Sequence, residues 1–150
     1  MMKLRYILSF FLVAIIVSAT HAQVEEGTLT DPRDGKTYKI VTVDILLEGD
    51  VTIQRTWMAQ NLNYEVDDSF CYKNEPAYCE AYGRLYTFEA AVAACPEGWH
   101  VPTIGEWDLL FSTFGGIRNA GVALQKGGKS WLNLIPGGFG DPGNVFKNIG

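Results

Sequence analysis

The sequence predicts an α+β protein, and three observations support this class. Between residues 28 and 58, runs rich in β-branched and aliphatic residues alternate with turn signals, which is typical of antiparallel strands. Two segments with apolar residues at helical spacing follow in quick succession, at residues 87–95 and 103–114. The last 36 residues hold 10 of the 16 glycines, which favours loops there. We therefore expect two helices packed on small antiparallel sheets, followed by glycine-rich loops.

The N-terminal segment has the pattern of a secretory signal peptide. Two basic residues precede an apolar run of 14 residues that extends to Ala19, and small residues continue to Ala22. This run is shorter than the roughly 18 to 20 residues that span a bilayer, so we expect no permanent membrane span. We assign residues 1–22 to a signal peptide and residues 23–150 to one mature domain. We expect that domain to be secreted, periplasmic or on the outer cell surface.

The mature part of the chain is acidic. Residues 23–150 carry 10 Lys and Arg residues against 17 Asp and Glu residues, and residues 23–114 alone carry 6 against 16. Nucleic acid requires a basic face on its partner, because contacts to its phosphates dominate binding. The composition therefore excludes nucleic acid as a partner and is typical of an exported protein with a solvated acidic surface.

Two β-hairpins are expected at the start of the mature domain. The sequence Asp31-Pro32-Arg33-Asp34-Gly35 separates two strand-like runs, and in it Pro presets a turn while Asp-Gly supplies a position of positive φ. A second pair of runs, 41–47 and 51–58, flanks a break at residues 48–50. Residues 61–77 are polar and irregular, so we expect a loop there.

The two expected helices have marked ends. Thr87 is a candidate N-cap of the first helix, which Pro96 ends. Thr103 and Glu106 have the spacing of a capping box at the start of the second helix, which Gly115 ends. The apolar stripe of the first helix is Phe88, Ala91, Val92 and Cys95. The stripe of the second helix is Trp107, Leu110, Phe111 and Phe114.

The three cysteines predict one disulfide and one unpaired thiol. Cys71 and Cys79 are eight residues apart in a polar segment of an exported protein, where oxidising conditions favour a disulfide. Zinc is the competing interpretation, but the chain has no CxxC spacing, and His100 alone remains after signal-peptide removal. Cys95 is the unpaired thiol, on the stripe of the first helix. A nucleophilic Cys95 with His100 as its base is the alternative, but the break at Pro96 gives no reason for them to be close.

Other candidate site residues are few. His100 alternates with Trp99 and Val101 on a short extended segment, so we expect it to pack or to form hydrogen bonds there. The sequence contains no phosphate-binding loop, GxSxG or HExxH motif, so we expect no cofactor and no catalytic residues. Calcium remains as a surface ion, although the glycine and the distal Glu of an EF-hand loop are absent. Its candidate oxygen ligands are Glu65, Asp67 and Asp68.

Four separated motifs occur along the mature chain. They are Asp31-Pro32-Arg33-Asp34-Gly35-Lys36-Thr37-Tyr38, Trp57-Met58-Ala59-Gln60-Asn61-Leu62-Asn63-Tyr64, Tyr82-Gly83-Arg84-Leu85-Tyr86-Thr87, and Ala94-Cys95-Pro96-Glu97-Gly98-Trp99-His100-Val101-Pro102-Thr103 with Glu106-Trp107. In this order they closely resemble the Fibrobacter succinogenes major paralogous domain, over about residues 28–140. A later segment, Ile135-Pro136-Gly137-Gly138, is similar to that family's Leu-Pro-Gly-Gly stretch.

The resemblance implies a C-type lectin-like fold, in a family found in exported and cell-surface proteins of bacteria. It also implies that Cys95 pairs with a cysteine in a final strand, after a Trp-Ser-Ser type of segment. This sequence contains neither that segment nor that cysteine. Leu132-Asn133-Leu134-Ile135 is the only clear strand candidate late in the chain, and nothing after Ile135 has the pattern of a closing strand. We therefore expect the final strands to be missing and the domain to be incomplete at its C-terminus.

The resemblance favours a non-catalytic exported module that binds carbohydrate or a surface partner through its loops. Aromatic ring faces stack on sugars, and the candidates are Tyr64, Phe70, Tyr72 and Tyr78. The first alternative is a structural or adhesion protein that recognises protein. Pro102 to Trp107 is also similar to a scaffold segment of formylglycine-generating enzymes, so a remnant of that enzyme fold is the second alternative. The catalytic cysteines of those enzymes, nearer the C-terminus, have no counterpart here.

Overall fold

The computed structural model describes residues 23–47, 51–140 and 146–149. Within them the chain forms seven short strands and four helices, so the predicted α+β class is confirmed. The strands make antiparallel sheets of three, two and two strands. None of the helices in this part of the chain is long and apolar enough to cross a membrane. The signal-peptide prediction for residues 1–22 and the predicted break at 48–50 lie outside the described residues.

The three-stranded sheet corresponds to the two predicted hairpins. β1 (Val24–Thr30), β2 (Thr37–Leu46) and β3 (Thr52–Met58) are antiparallel and lie in the order β1-β2-β3. Because β2 runs without interruption from the first turn to the second, both hairpins share it as the central strand. Gly35 in the first turn has a φ of 74°, a backbone conformation that favours glycine, so the Asp-Gly signal predicts this turn correctly.

The hydrophobic core lies between this sheet and two helices, α3 (Ile104–Thr113) and α4 (Ile117–Leu124). Alternate residues of β2 face the core, as the period of two in a strand requires, and these are Val41, Val43 and Ile45. Burial of each such side chain stabilises the fold by roughly 1.5–3 kcal/mol. The buried residues that meet them from α3, α4 and the chain beyond are Leu110, Phe114, Ala120, Ala123, Leu124 and Leu132.

Both predicted helix caps are present. In α2 (Phe88–Ala94), the Thr87 side chain accepts a hydrogen bond from the Ala90 N–H group. In α3, Thr103 and Glu106 form the reciprocal capping box. An N-cap typically stabilises its helix by about 1 kcal/mol, so local sequence alone positions the start of each helix.

The predicted apolar stripe of α2 is wrong. Phe88 is 70% exposed and Val92 is 54% exposed, whereas Ala90 and Ala94 are buried. Cys95 caps the C-terminal end of the helix and is half-buried. A helix of seven residues makes only two turns, so the predicted stripe and the pair of alanines both fit helical spacing. The smaller residues face inward. For α3 the predicted stripe is correct.

Two helices were not expected from the sequence. α1 (Pro76–Tyr82) begins within the segment interpreted as a polar loop, and Pro is favoured at such a first turn. α4 begins after Gly116 and contains Gly121, which costs roughly 1 kcal/mol relative to alanine in a helix. Tertiary packing outweighs that cost, because α4 buries three residues in the core: Ala120, Ala123 and Leu124.

The remaining strands form two short hairpin-like pairs. β4 (Ser69–Phe70) pairs with β5 (Leu85–Tyr86), and β6 (Gly137–Gly140) pairs with β7 (Phe146–Ile149). The second pair follows Ile135, where no strand was expected, but it joins neither of the other sheets, so the expectation that the final strands are missing stays a prediction. Glycine-rich strands carry a weak periodic pattern, which explains why the sequence did not indicate β6.

The predicted late strand at Leu132–Ile135 is also corrected. Asn133 has a φ of 51°, which is the left-handed region and interrupts an extended run. A single parallel bridge, between Gln125 and Leu134, is the only sheet-like pairing described for this segment. Leu132 nevertheless reaches the core, so the apolar character of the segment reflects burial and not strand formation.

Candidate functional site

The first turn carries a buried ion pair that fixes it to the end of α2. Arg33 donates from Nε and Nη2 to the two carboxylate oxygens of Asp31, at 2.9 and 2.6 Å, and the Asp31 side chain is fully buried. The same guanidinium donates to the backbone carbonyl groups of Ala94 at 2.8 Å and Cys95 at 3.3 Å. It also lies 3.7 Å from the ring centroid of Tyr64. The hydrogen bonds from Arg33 hold the pKa of Asp31 below its usual range.

Neighbouring side chains position the segment that follows β3. Lys36 Nζ donates to the backbone carbonyl of Asn63 at 2.6 Å, and the Asn63 N–H donates to the hydroxyl of Tyr38 at 3.2 Å. The hydroxyl of Tyr86 donates to the carbonyl of Tyr64 at 2.7 Å. Burial raises the pKa of both Tyr38 and Tyr86, so both hydroxyls remain protonated at physiological pH. The segment after β3 is thus held by hydrogen bonds from Lys36 and Tyr86 and to Tyr38.

A cleft of about 680 Å³ opens between β3, the segment that follows β3, and the loop that joins α2 to α3. We call it the Trp57–Trp99 cleft. Its volume lies within the range of roughly 300–1,000 Å³ that is typical of small-molecule sites, and its walls are mostly apolar. The polar and aromatic side chains that line it include Arg55, Trp57, Arg84, Trp99, His100 and Glu106.

Two tryptophans and Tyr86 form the aromatic part of the cleft. Trp57 is buried on β3, and its ring lies 5.1 Å from that of Trp107 on α3. Its Nε1 atom is a buried donor without an acceptor among the described residues. Trp99 is half-buried on the connecting loop, where its backbone N–H donates to the carbonyl of Pro96 at 3.0 Å. One indole is therefore fixed by the core, and the other borders solvent.

Two arginines provide positive charge at the cleft. Arg84 is largely buried and forms a salt bridge with Glu65, while its Nε atom is a second buried donor without an acceptor among the described residues. Arg55 is exposed, and its Nη1 donates to the backbone carbonyl of Gln54 at 3.1 Å. Glu65, one of the predicted calcium ligands, forms this salt bridge through Oε2. Within the described ranges, no group of three or more His, Cys, Asp or Glu residues is arranged to hold a metal ion.

The residues considered for nucleophilic chemistry each have a different partner. The Cys95 thiol donates to the carbonyl of Ala91 at 3.3 Å, and burial raises its pKa, which disfavours the reactive thiolate. His100 Nε2 lies 2.8 Å from a carboxylate oxygen of Glu106. Hydrogen bonds from the Thr103 backbone, the Thr103 hydroxyl and His100 together lower the pKa of Glu106 to about 2. His100 is thus an extension of the capping box, in agreement with its expected hydrogen-bonding role.

The four aromatic candidates lie outside the cleft. Phe70 is 48% exposed, and Tyr64 is half-buried beneath Arg33. Tyr78 is half-buried with its ring 5.2 Å from that of Tyr72. Tyr72 itself is buried between Tyr78 and a residue of β7, so the expectation that it offers a ring face to a sugar is wrong. Loop composition indicated aromatic content here but not which rings pack against each other.

Cys71 and Cys79 stand at disulfide-bonding distance, with their Cα atoms 5.0 Å apart. Cys79 is buried on α1, and Cys71 precedes a short 3-10 turn. The pairing that the sequence predicts therefore fits the geometry. Such a bond ties the middle of α1 to the residue that follows β4.

Sequence reasoning did not single out Arg55, Trp57 or Arg84 as site residues. For Arg55, the strand register could have given a signal. Arg55 pairs with the fully buried Val43, so it lies on the core-facing side of β3. A charged residue in the apolar phase of a strand is unusual and indicates a special environment. Arg84 and Trp57 lie in motifs noted for the resemblance, but only the tertiary fold brings them to one cleft.

Comparison with known proteins gives a family match that includes this cleft. Residues 51–141, more than half of the chain, match the Fibrobacter succinogenes major domain. No curated protein matches the chain, and no solved structure matches it. The match spans the sequence from β3 through β6 and contains all of the cleft residues named above. The chain therefore belongs to the Fibrobacter succinogenes major domain family.

Proposed function

We propose that the chain is an exported, non-catalytic module that binds carbohydrate in the Trp57–Trp99 cleft. The observation that carries this proposal is the pairing of a partly exposed indole, Trp99, with buried and charged hydrogen-bonding groups in one cleft of about 680 Å³. Sugars present an apolar C–H face and a ring of hydroxyl groups. An aromatic wall beside polar side chains complements both features.

The polar groups of the cleft favour a ligand that accepts hydrogen bonds. Arg55 and Arg84 are donors only, and so is the indole of Trp57. Glu106 is occupied by Thr103 and His100, so it offers little accepting capacity to a ligand. Sugar hydroxyl and carboxylate oxygens accept such bonds, whereas an apolar ligand would displace water from the exposed Arg55 guanidinium and leave it unpaired, at a cost of roughly 1–3 kcal/mol.

The C-type lectin-like arrangement is part of this proposal. It is supported by the succession of α2 and α3 with marked caps, by the three small antiparallel sheets and by the glycine-containing hairpin at the end of the described chain. Export is supported by the signal-peptide pattern of residues 1–22 and by a cysteine pair at disulfide-bonding distance, which fits an oxidising compartment.

Protein recognition is a second candidate, because a separate apolar groove lies between α3 and α4. Ile104 is 82% exposed and Ile117 is 77% exposed at its rim, and the partly buried Trp107 and Phe111 line its floor. Exposed apolar surface of this kind is a feature of protein-binding faces. The groove supports an adhesion role as the alternative to carbohydrate binding.

A binding panel with matched tryptophan variants tests the proposal. We expect the mature protein to be retained by at least one polysaccharide in affinity electrophoresis, and Trp99→Ala to weaken that retention about ten-fold or more, because stacking area is lost. Trp131→Ala is the matched control, since Trp131 is exposed and lies outside the cleft. Trp99→Phe keeps an aromatic face and should retain part of the affinity. Thermal unfolding establishes that each variant is folded.

Two results would contradict the proposal. One is the absence of retention on every neutral and acidic polysaccharide while a protein partner is still captured, which would favour the groove between α3 and α4. The other is an equal effect of the Trp99 and Trp131 substitutions, which would place binding outside the cleft.

A further inference from the structure

The charge of the cleft is opposite to that of the surface around it. Residues 23–114 carry 16 acidic side chains against 6 basic ones. Nevertheless, two of those six, Arg55 and Arg84, line the same cleft, where Glu106 is the only acidic residue in the lining. Local positive charge within an acidic protein concentrates field lines at that site and attracts anionic groups.

The part of this positive charge that is open to a ligand is that of Arg55. The four salt bridges described do not include Arg55, which donates only to the backbone of Gln54 among the described residues. Glu106 carries a negative charge in the same lining, but its carboxylate is bonded to Thr103 and His100, and no ion pair joins it to Arg55. Arg84 is largely buried and is held by Glu65 through Nη2 and by Ser69 through Nη1.

The position of Arg55 on β3 directs it to the cleft. Arg55 lies opposite Val43, between Ile53 and Trp57 in the phase of the strand that faces the core. It is nevertheless exposed, and it lines the cleft. β3 is an edge strand of its sheet. Inward-facing charges also protect sheet edges from pairing with other chains, so edge protection is the purely structural role that Arg55 could have.

Both buried polar atoms that lack a partner belong to residues that line this cleft. Trp57 Nε1 and Arg84 Nε are the two such side-chain atoms among the described residues, and both are donors. An ionised carboxylate is an acceptor-only group with about four lone-pair sites, and it binds guanidinium through two parallel hydrogen bonds. A carboxylate therefore supplies the hydrogen-bond acceptors that the donors of the cleft residues lack.

We infer that the carbohydrate ligand is acidic, and that Arg55 binds the carboxylate of a uronic acid residue while Trp99 borders its sugar ring. This inference rests on the proposed function, because it names the class of saccharide that the same cleft takes. Arg84 also lines this cleft, and its pairing with Glu65 holds it in place.

Calorimetric titration with trigalacturonate and with its fully methyl-esterified form tests the inference. The two ligands share ring shape and hydroxyl groups and differ in charge. We expect trigalacturonate to bind about ten-fold or more tightly than the ester, and Arg55→Gln to remove that preference, because a hydrogen-bonded charge pair is lost. Arg118→Gln is the matched control, since Arg118 is exposed on α4 and outside the cleft. It should leave the preference unchanged.

The remaining outcomes separate this inference from the proposed function. Equal binding of the acid and the ester would overturn the acidic class while leaving carbohydrate binding intact. Unchanged affinity of Arg55→Gln for the acid, with increased self-association, would assign Arg55 to edge protection alone. Binding of an acidic peptide but of neither saccharide would overturn both the inference and the proposed function.

Discussion

Asp31 shows how much of this domain depends on one buried carboxylate. Its pair with Arg33 spans only two residues, but the same guanidinium reaches the carbonyl groups of Ala94 and Cys95 at the end of α2. The Asp-Pro-Arg-Asp-Gly sequence predicts the turn from local rules, and that prediction is correct. Its long-range partners were not predictable, because nothing in the local sequence indicates which carbonyl groups lie near Arg33.

We predict that Asp31→Ala destabilises the fold by about 3 kcal/mol, measured by urea unfolding. This is the lower end of the range for a broken buried ion pair, because the Arg33 side chain is 28% exposed and water compensates in part. Asp34→Ala is the matched control. Asp34 pairs with Lys36 at 3.5 Å in a more exposed site, so we expect at most about 1 kcal/mol. Equal effects of the two substitutions would contradict the structural role of the buried pair.

The pH dependence of the stability of Asp31→Ala, compared with that of the wild type, tests whether Asp31 is ionised in the folded protein. Arg33 lowers the pKa of Asp31 in the folded protein relative to about 3.9 in the unfolded chain. The resulting stabilisation is complete above the unfolded pKa and is lost as pH falls through the lower folded pKa. The difference in stability between wild type and Asp31→Ala should therefore be largest near neutral pH and shrink below about pH 4.

At the scale of single elements, capping signals predicted more reliably than apolar spacing. Thr87 and Thr103 fix the starts of α2 and α3 through bonds within one turn, so local sequence contains the whole interaction. The burial of Ala90 in place of Phe88 depends on what packs against α2, which spacing does not reveal. α4 likewise forms because the core covers one face of it, in spite of Gly121.

The segment containing α1 provides a test at this scale. We predict that reduction of the Cys71–Cys79 disulfide destabilises the domain by about 2–3 kcal/mol, since a bond across a short loop restricts the unfolded chain. Alkylation of the unreduced protein, followed by mass spectrometry, should report one reactive thiol, that of Cys95, on denaturation. Modification of all three cysteines without reductant would contradict the pairing.

For the whole molecule, the class of fold was predictable and the site was not. Runs of alternating residues and capped helices predict an α+β chain, because each signal is confined to one element. The cleft requires β3, the chain before α1 and the loop after α2 to converge, and it brings Trp57 and Trp99 together from distant positions. Local pattern placed the aromatic candidates at residues 64–78 instead, where the rings of Tyr72 and Tyr78 pack against each other.

The indole N–H resonances of the four tryptophans provide the most direct test of binding in this cleft. We predict that titration with trigalacturonate or its methyl ester, followed by ¹H–¹⁵N correlation spectra, moves the signals of Trp57 and Trp99. The Trp99 signal should move most, because its half-buried indole borders the ligand, and the Trp131 signal should remain in place. Unchanged Trp57 and Trp99 signals at saturating saccharide, or a change confined to Trp131, would contradict carbohydrate binding in the Trp57–Trp99 cleft.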